Sequence, residues 1–351
     1  MPKLSAVDSV TPAIDRTKWI VLPFRLGTWL VLGVIGLLAG EMSSGGGFNF
    51  SFPPSFPGHE KLPPMNSGGV PNFHFPHGLL ALLVVIGVII LIFGLAFMYV
   101  VCRFRFILFD TVIHGRADIN RGWSSYVRQS NRYFAFSLIY ALVTLATLVL
   151  LIGVPIWHAI KSGVFSGGSE VGPIFSLIGS VLVTILLLAI VGYVINTMFR
   201  DFVATSMAVD DATLGQAWTA AFQLVRNEPG AFALYLLMKI VLALVCGIIT
   251  GLAGVVCFFI LLVPAGIVAL ILVAIGAAVK GAVGIGIVIA LGVVAFMALF
   301  ATMLLITCVL NAPVAVFFES YRLCFLAGRN PRLEVLLWPA LAAQPPPAAQ
   351  S

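Results

Sequence analysis

Long apolar runs separated by short polar interruptions make up most of this chain. The longest, Ala231 to Leu310, holds only two charges, Lys239 and Lys280, in 80 residues. About 20 consecutive apolar residues already cross a bilayer core. The pattern therefore predicts an all-α, polytopic integral membrane protein with about six transmembrane helices. Helix one is expected over Pro23–Gly40, helix two over Gly78–Val101, helix three over Phe134–Trp157 and helix four over Pro173–Met198. Helix five opens near Ala231, and the last runs from Ile285 to Leu310, stopping at Asn311-Ala312-Pro313. Helix one is short, and Arg25 at its start has to snorkel to the interface. The stretch Ala231–Leu310 has room for two or three spans. Two are preferred, with Pro264–Gly284 as an interfacial or re-entrant piece on the outer side, because it carries Pro264, several glycines and Lys280.

The interruptions are of two kinds. Residues 41–77 (containing GGGFNFSFPPSFPGHEKLPP) and the HAIKSGVFSGGSEVG loop are dense in Gly, Ser and Pro. Such stretches have too many breakers to build a core and read as outer loops, the first of them mobile. Residues 102–132 and 199–230 instead show helical spacing. Asp118 and Asp211 are placed to cap a short helix in each, with Trp123 and Trp218 on an apolar face. Both read as amphipathic helices in the headgroup plane. The chain thus divides into an N-terminal segment (1–22), a transmembrane domain (23–311) and a tail (312–351) with a Pro/Ala-rich end.

Charge sets the orientation. Of the 19 Lys and Arg, only Lys61 and Lys161 fall in the two Gly-rich loops, whereas the N-terminal segment, the connectors and the tail (Arg322, Arg329, Arg332) are basic. The positive-inside rule then puts both termini in the cytoplasm, which requires an even number of spans. The first apolar run starts near Trp19 behind Asp8, Asp15, Arg16 and Lys18, and Leu38-Ala39-Gly40-Glu41 lacks an A-x-A-like site, so a cleaved signal peptide is not expected. With 61% hydrophobic and 9% charged residues, water is not the main solvent. No water-exposed domain is large enough to present a nucleic-acid patch.

Candidate chemistry is sparse. Cys102, Cys246, Cys257, Cys308 and Cys324 lie in or beside apolar segments, form no C-x-x-C pair and read as packing residues. His59, His74 and His77 share the first outer loop, with no cysteine and only Glu41 and Glu60 as nearby carboxylates, and read as solvated. No nucleophile elbow, zinc-protease or P-loop motif occurs. The best binding candidates are Arg103, Arg105, Arg116, Arg121, Arg128 and Arg132, beside Phe, Trp and Tyr. Either they meet anionic lipid headgroups, at about 1 kcal/mol each, or they only fix topology. Lys239, about two turns into helix five, either snorkels, pairs with Asp201 or Asp110, or meets a lipid phosphate. Glu319 and Arg322, three residues apart, are expected to form a weak local pair.

The chain also repeats at a spacing of 95 residues: Phe104-Arg105 aligns with Phe199-Arg200, and Gly122-Trp123 with Ala217-Trp218. Each copy ends a span, makes a Trp-bearing connector and opens the next span. A parallel duplication and the general likeness of two span–connector–span units both account for it. The unit Ala217-Trp218-Thr219-Ala220-Ala221-Phe222-Gln223, followed by Phe232-Ala233-Leu234-Tyr235, resembles the membrane domain of bacterial glycerophosphodiester phosphodiesterases. It also resembles uncharacterised bacterial inner-membrane proteins of that superfamily. Arg103 to Asp110, Asn131 to Phe134, and Pro313 to Leu323 look like one such uncharacterised group. The resemblance covers roughly residues 19 to 330 and implies a six-helix membrane module. The catalytic phosphodiesterase barrel has no counterpart here, so its chemistry does not carry over.

These readings converge on a non-enzymatic module of a bacterial cytoplasmic membrane that needs no cofactor. It would organise anionic lipid or a membrane protein partner, with close helix packing permitting a homo-oligomer. The competing reading is a permease or channel for a small uncharged or amphiphilic solute.

Overall fold

The structure, a computed structural model, describes residues 4–22, 24–40, 77–161, 171–279 and 282–338. Among these the fold is all-α, without a strand. The helices are α1 (Val10–Val21), α2 (Leu26–Leu38), α3 (His77–His114), α4 (Ile119–Ser125), α5 (Val127–Lys161) and α6 (Val171–Thr197). A π-helical turn, Met198–Val203, follows, and then α7 (Ala204–Asp210), α8 (Leu214–Asn227), α9 (Pro229–Ala278), α10 (Ala282–Ala327) and α11 (Pro331–Leu337). Among the described residues, five segments are long and apolar enough to cross a bilayer: Ala81–His114, Val127–Pro155, Gly179–Asp210, Pro229–Ala278 and Ile285–Ala327.

Each of these five has two parts with different surroundings. The outer part is an arm that is apolar on every side. Its most apolar window contains no buried residue in four of the five helices. A helix apolar all round is stable only where lipid or protein surrounds it. The arm of α3 from Ala81 to Val100 is ~30 Å long at 1.5 Å per residue, the thickness of a bilayer core. The inner part enters a common body. There α3 buries Phe106, Ile107 and Leu108, α10 buries Tyr321, Leu323 and Phe325, and the π turn buries Phe199 and Phe202. The body is cemented by rings: Tyr133 and Phe136 stack on Phe199 at 4.7 and 4.1 Å, and Tyr235 stacks on Phe325 at 4.6 Å.

Helix α1 ties the body together from below. Arg16 donates through Nε and Nη2 to the Val112 carbonyl (3.0 and 2.8 Å), and through Nη2 and Nη1 to those of Ile113 and Leu337 (both 2.9 Å). It thereby satisfies carbonyls at the ends of both α3 and α11, where a cation is also favoured by the helix dipole.

The structure corrects several expectations. The predicted first span is α2, only 13 residues or ~20 Å, shorter than a bilayer core. A Cβ on Gly40, just past its end, would lie 4.0 Å from both Arg105 Nη2 and Val101, so α2 runs along the buried part of α3. The first connector is not one interfacial helix. Instead α3 continues through Arg103 and Arg105 to His114, because their side chains find partners inside the body. Asp118 does cap α4, accepting from Arg121 N–H at 3.2 Å. Asp211 opens no helix: at φ 49° it is the C-cap of α7, and α8 is instead opened by Thr213, whose N–H donates to Gln216 Oε1 at 3.0 Å. The last span does not stop at Pro313. Helix α10 runs through it to Ala327, its far end held by core packing of Val316, Phe318 and Tyr321. Within the Pro264–Gly284 piece, the residues up to Ala278 continue α9 and those from Ala282 open α10. Lys280, the His59 and His74 loop, Lys61 and the Pro/Ala-rich end lie outside the described residues.

Helices α9 and α10 form an antiparallel hairpin, with Gly276 facing Val288 near its turn. The apolar surface is not level around the molecule. Beside the body, the outer face of α9 remains apolar and open at Leu244, Ile248 and Leu252, and that of α2 at Leu26 and Val34. Two glycines let α2 lie directly on α10: a Cβ on Gly33 would overlap the Cys308 carbonyl, and one on Gly36 would overlap Ala315. Gly33→Ala is expected to destabilise the body by about 1–3 kcal/mol, read as a lowered midpoint in thermal unfolding in detergent. Gly251→Ala, which meets only open space, should leave the midpoint unchanged or raise it.

Candidate functional site

The densest chemistry lies where the arms converge, around the π turn. Such turns insert one extra residue into a helix and are frequent at functional sites. Here the turn directs Asp201 into the body. Its Oδ2 accepts from Tyr235 Oη at 2.8 Å and pairs with Lys239 Nζ. Tyr235 and Lys239 are one helical turn apart on α9, so both reach the same carboxylate. On the other side Arg322 Nη1 lies 3.9 Å from Asp201 Oδ1, donates to the Arg200 carbonyl at 3.0 Å, and Nη2 pairs with Glu319. Asp201, Lys239, Glu319 and Arg322 are each at most 5% exposed. The Glu319–Arg322 pair is therefore a core feature, not the weak surface pair expected from its spacing.

Burying an ion costs several kcal/mol unless partners compensate. The buried charges among the described residues are Arg103, Arg105, Arg200, Lys239 and Arg322 against Asp110, Asp201 and Glu319. The cations outnumber the anions, so rings and carbonyls must carry the difference. Arg103 donates to Tyr99 Oη (3.0 and 2.7 Å) and to the Trp123 carbonyl (2.8 Å), and lies over both rings at 5.3 and 4.9 Å. This cage fastens α4 to α3. Arg105 bonds to Tyr133 Oη and to the Ala39 carbonyl at 3.3 Å, capping the end of α2.

A third cluster surrounds Asp110. His114 Nδ1 is 3.1 Å from Asp110 Oδ1, Arg121 Nε is 4.0 Å from Oδ2, and Tyr126 Oη donates to Oδ1 at 3.4 Å. Burial first, and the Asp110 carboxylate second, push the Tyr126 phenol from 10.0 up to about 12.

The arginines singled out in the sequence thus have different fates. Arg103, Arg105 and Lys239 are buried on protein partners, which takes them away from direct headgroup contact; of the alternatives for Lys239, the structure selects Asp201. Arg121 also meets His114 Nε2 at 3.1 Å, and Arg128 pairs with Asp211. Arg116 and Arg132 make no side-chain bond or ion pair among the described residues. The sequence named Asp201 only as one partner for Lys239 and Glu319–Arg322 only as a weak local pair; their convergence with Tyr235 on one centre was not legible in it. Its only local signals were an acid beside Arg200 at the end of an apolar run and a Tyr one turn before Lys239. No group of three or more His, Cys, Asp or Glu among the described residues is placed to hold a metal.

A family model described as a family of unknown function, DUF7544, matches residues 4–336. The chain belongs to the DUF7544 family. No curated protein and no solved structure matches it. The match supports the resemblance to an uncharacterised family and does not extend it to glycerophosphodiester phosphodiesterases. In this DUF7544 protein the π-turn hub, the Arg103 cage and the α2–α10 contact all fall inside the matched region.

Asp201→Asn removes the charge that Lys239, Tyr235 and Arg322 share, and should cost about 3 kcal/mol or more, seen as a large drop in the thermal midpoint. Tyr235→Phe removes one donor to the same carboxylate and should cost less, about 1.5–3 kcal/mol. At Tyr126 the fold favours the neutral phenol. That contribution is complete below pH 10 and is lost as pH rises toward 12. Tyr126→Phe should therefore show a smaller fall in thermal midpoint between pH 10 and 11 than the unmodified protein.

Proposed function

We propose that this chain is a non-enzymatic integral membrane module that organises anionic lipid around its body. It would sit in a bacterial cytoplasmic membrane with the N terminus in the cytoplasm. The observation that carries this reading is how the cations are divided. Those that hold the helices together face inward and are bonded, whereas Arg116 and Arg132 at the rim make no side-chain hydrogen bond or ion pair among the described residues. Rim cations beside apolar, lipid-facing helices suit phosphate headgroups. The buried hub fits a structural role: its carboxylates are engaged by neighbouring cations and a phenol.

A permease for an uncharged or amphiphilic solute is the second reading. It is favoured by an apolar groove of about 470 Å³ between α9 and α10, lined by Cys257, Leu261, Pro264, Ala298 and Thr302 among others. Extraction of the protein in native-lipid discs, followed by lipid mass spectrometry, separates the two. The anionic share around the unmodified protein should exceed that of the bulk membrane. Arg116→Gln with Arg132→Gln should reduce the enrichment, by roughly fivefold per arginine at most for about 1 kcal/mol each. Equal anionic content in bulk, unmodified and variant discs would refute the lipid reading. Tracer uptake into proteoliposomes would favour the permease.

A further inference from the structure

Beneath α2, where α1, α2 and the end of α3 meet, lies an open pocket of about 530 Å³. Trp19 and Leu22 line it from α1 and the turn after it, Arg25 and Thr28 from the start of α2, and Gly115 and Arg116 from the end of α3. Neither Arg25 nor Arg116 makes a side-chain hydrogen bond or an ion pair among the described residues. The carboxylates close to them in sequence are already engaged: Asp15 lies 4.0 Å from Lys18 Nζ, and Asp118 caps α4. Two guanidinium groups thus share one pocket whose described lining contains no carboxylate.

The rim of the pocket is apolar and open. Trp19, Leu22, Phe24 and Leu26 are each more than half exposed, an arrangement unfavourable in water and suited to the boundary between headgroups and acyl chains. The apolar outer face of α2 rises directly above, so this edge of the body meets lipid. Trp19 is held in place by a local device. Gly115 adopts φ +66°, and a Cβ there would overlap the indole, so glycine both turns the chain after α3 and admits the ring. Thr28 supplies a hydroxyl, and the first turn of α2 adds a weaker positive field.

We propose that this pocket binds the phosphate of an anionic phospholipid, held between Arg25 and Arg116, with the acyl chains lying along α2 beside Leu22 and Phe24. The inference rests on the lipid reading above and deepens it to one site with a defined stoichiometry. A phosphodiester offers the oxygens that guanidinium forks bind in pairs. Its glycerol end and chains match the surrounding polar and apolar surfaces.

Native mass spectrometry of the full chain, released from discs of mixed phosphatidylglycerol and phosphatidylcholine, tests the site. The unmodified protein should retain one phosphatidylglycerol per chain. Arg25→Gln should lose it at least fivefold, and Gly115→Ala, which displaces Trp19, should weaken it. Arg132→Gln, outside the pocket, should keep it. Because Arg25 is exposed, Arg25→Gln should unfold at the same temperature as the unmodified protein, which separates site loss from misfolding. Retention of the lipid by Arg25→Gln overturns the proposal, while a general anionic enrichment in both proteins would leave the broader lipid reading standing. Loss of enrichment everywhere defeats both. Displacement of the bound lipid by millimolar inorganic phosphate would assign the pocket to a soluble anion instead.

Discussion

One buried carboxylate joins three of the apolar helices. Asp201 receives a lysine and a tyrosine from α9 and faces an arginine from α10, so the α6, α9 and α10 spans are locked at a single point. The carboxylate can reach them because the helix winds by one extra residue at Met198–Val203. A buried acid in a bed of aromatic rings is costly on its own, and a buried lysine equally so. Together, with a phenol as additional donor, they become specific: few other packings of three apolar helices would satisfy all the groups at once. Apolar helices in lipid have no hydrophobic force to choose their neighbours. A polar lock at their common base supplies that choice.

The rest of the architecture extends the same logic. Arg103 and Arg105 use rings and carbonyls where the body lacks carboxylates, fastening α4 to α3 and the end of α2 to α3. Arg16 closes two helix ends with one guanidinium. Gly33 and Gly36 let α2 lie directly against α10, where any side chain would force the helices apart. The inner ends of the helices therefore carry the specificity and the outer arms carry the solubility in lipid. The same division leaves Arg25, Arg116 and Arg132 without a side-chain hydrogen bond or ion pair among the described residues, and these are the groups that the lipid proposal uses.

The sequence made the outer arms legible because lipid imposes a simple code: a long apolar run, all faces alike, is a span. The arms of α3, α5 and α6 fall where hydropathy places them. The body was far less legible. Arg103 and Arg105 look like the polar end of a span, and only the fold reveals the Tyr99, Trp123 and Tyr133 rings that let the helix continue past them. Pro313 looks like a stop, yet the contacts of Val316 and Tyr321 outweigh one lost backbone bond. Asp211 and Thr213 are two residues apart and both suit a helix start. The choice between them follows from Asp211 being drawn toward Arg128, 83 residues distant in the chain. Asp201 was named in the sequence only as one of several partners for Lys239, since a pairing across 38 residues is decided by topology and not by spacing. That Arg116 belongs to a basic connector was within reach of charge counting, whereas its convergence with Arg25 needed the fold.

The central claim, that the Asp201–Lys239 pair locks the helices, is tested most directly by a double-mutant cycle. Stabilities of Asp201→Met, Lys239→Met and the double variant would be measured in one lipid disc composition. The account predicts that the double variant is more stable than the sum of the single losses implies, with a coupling of about 2 kcal/mol or more. Strict additivity would contradict it and would show that the two side chains act independently.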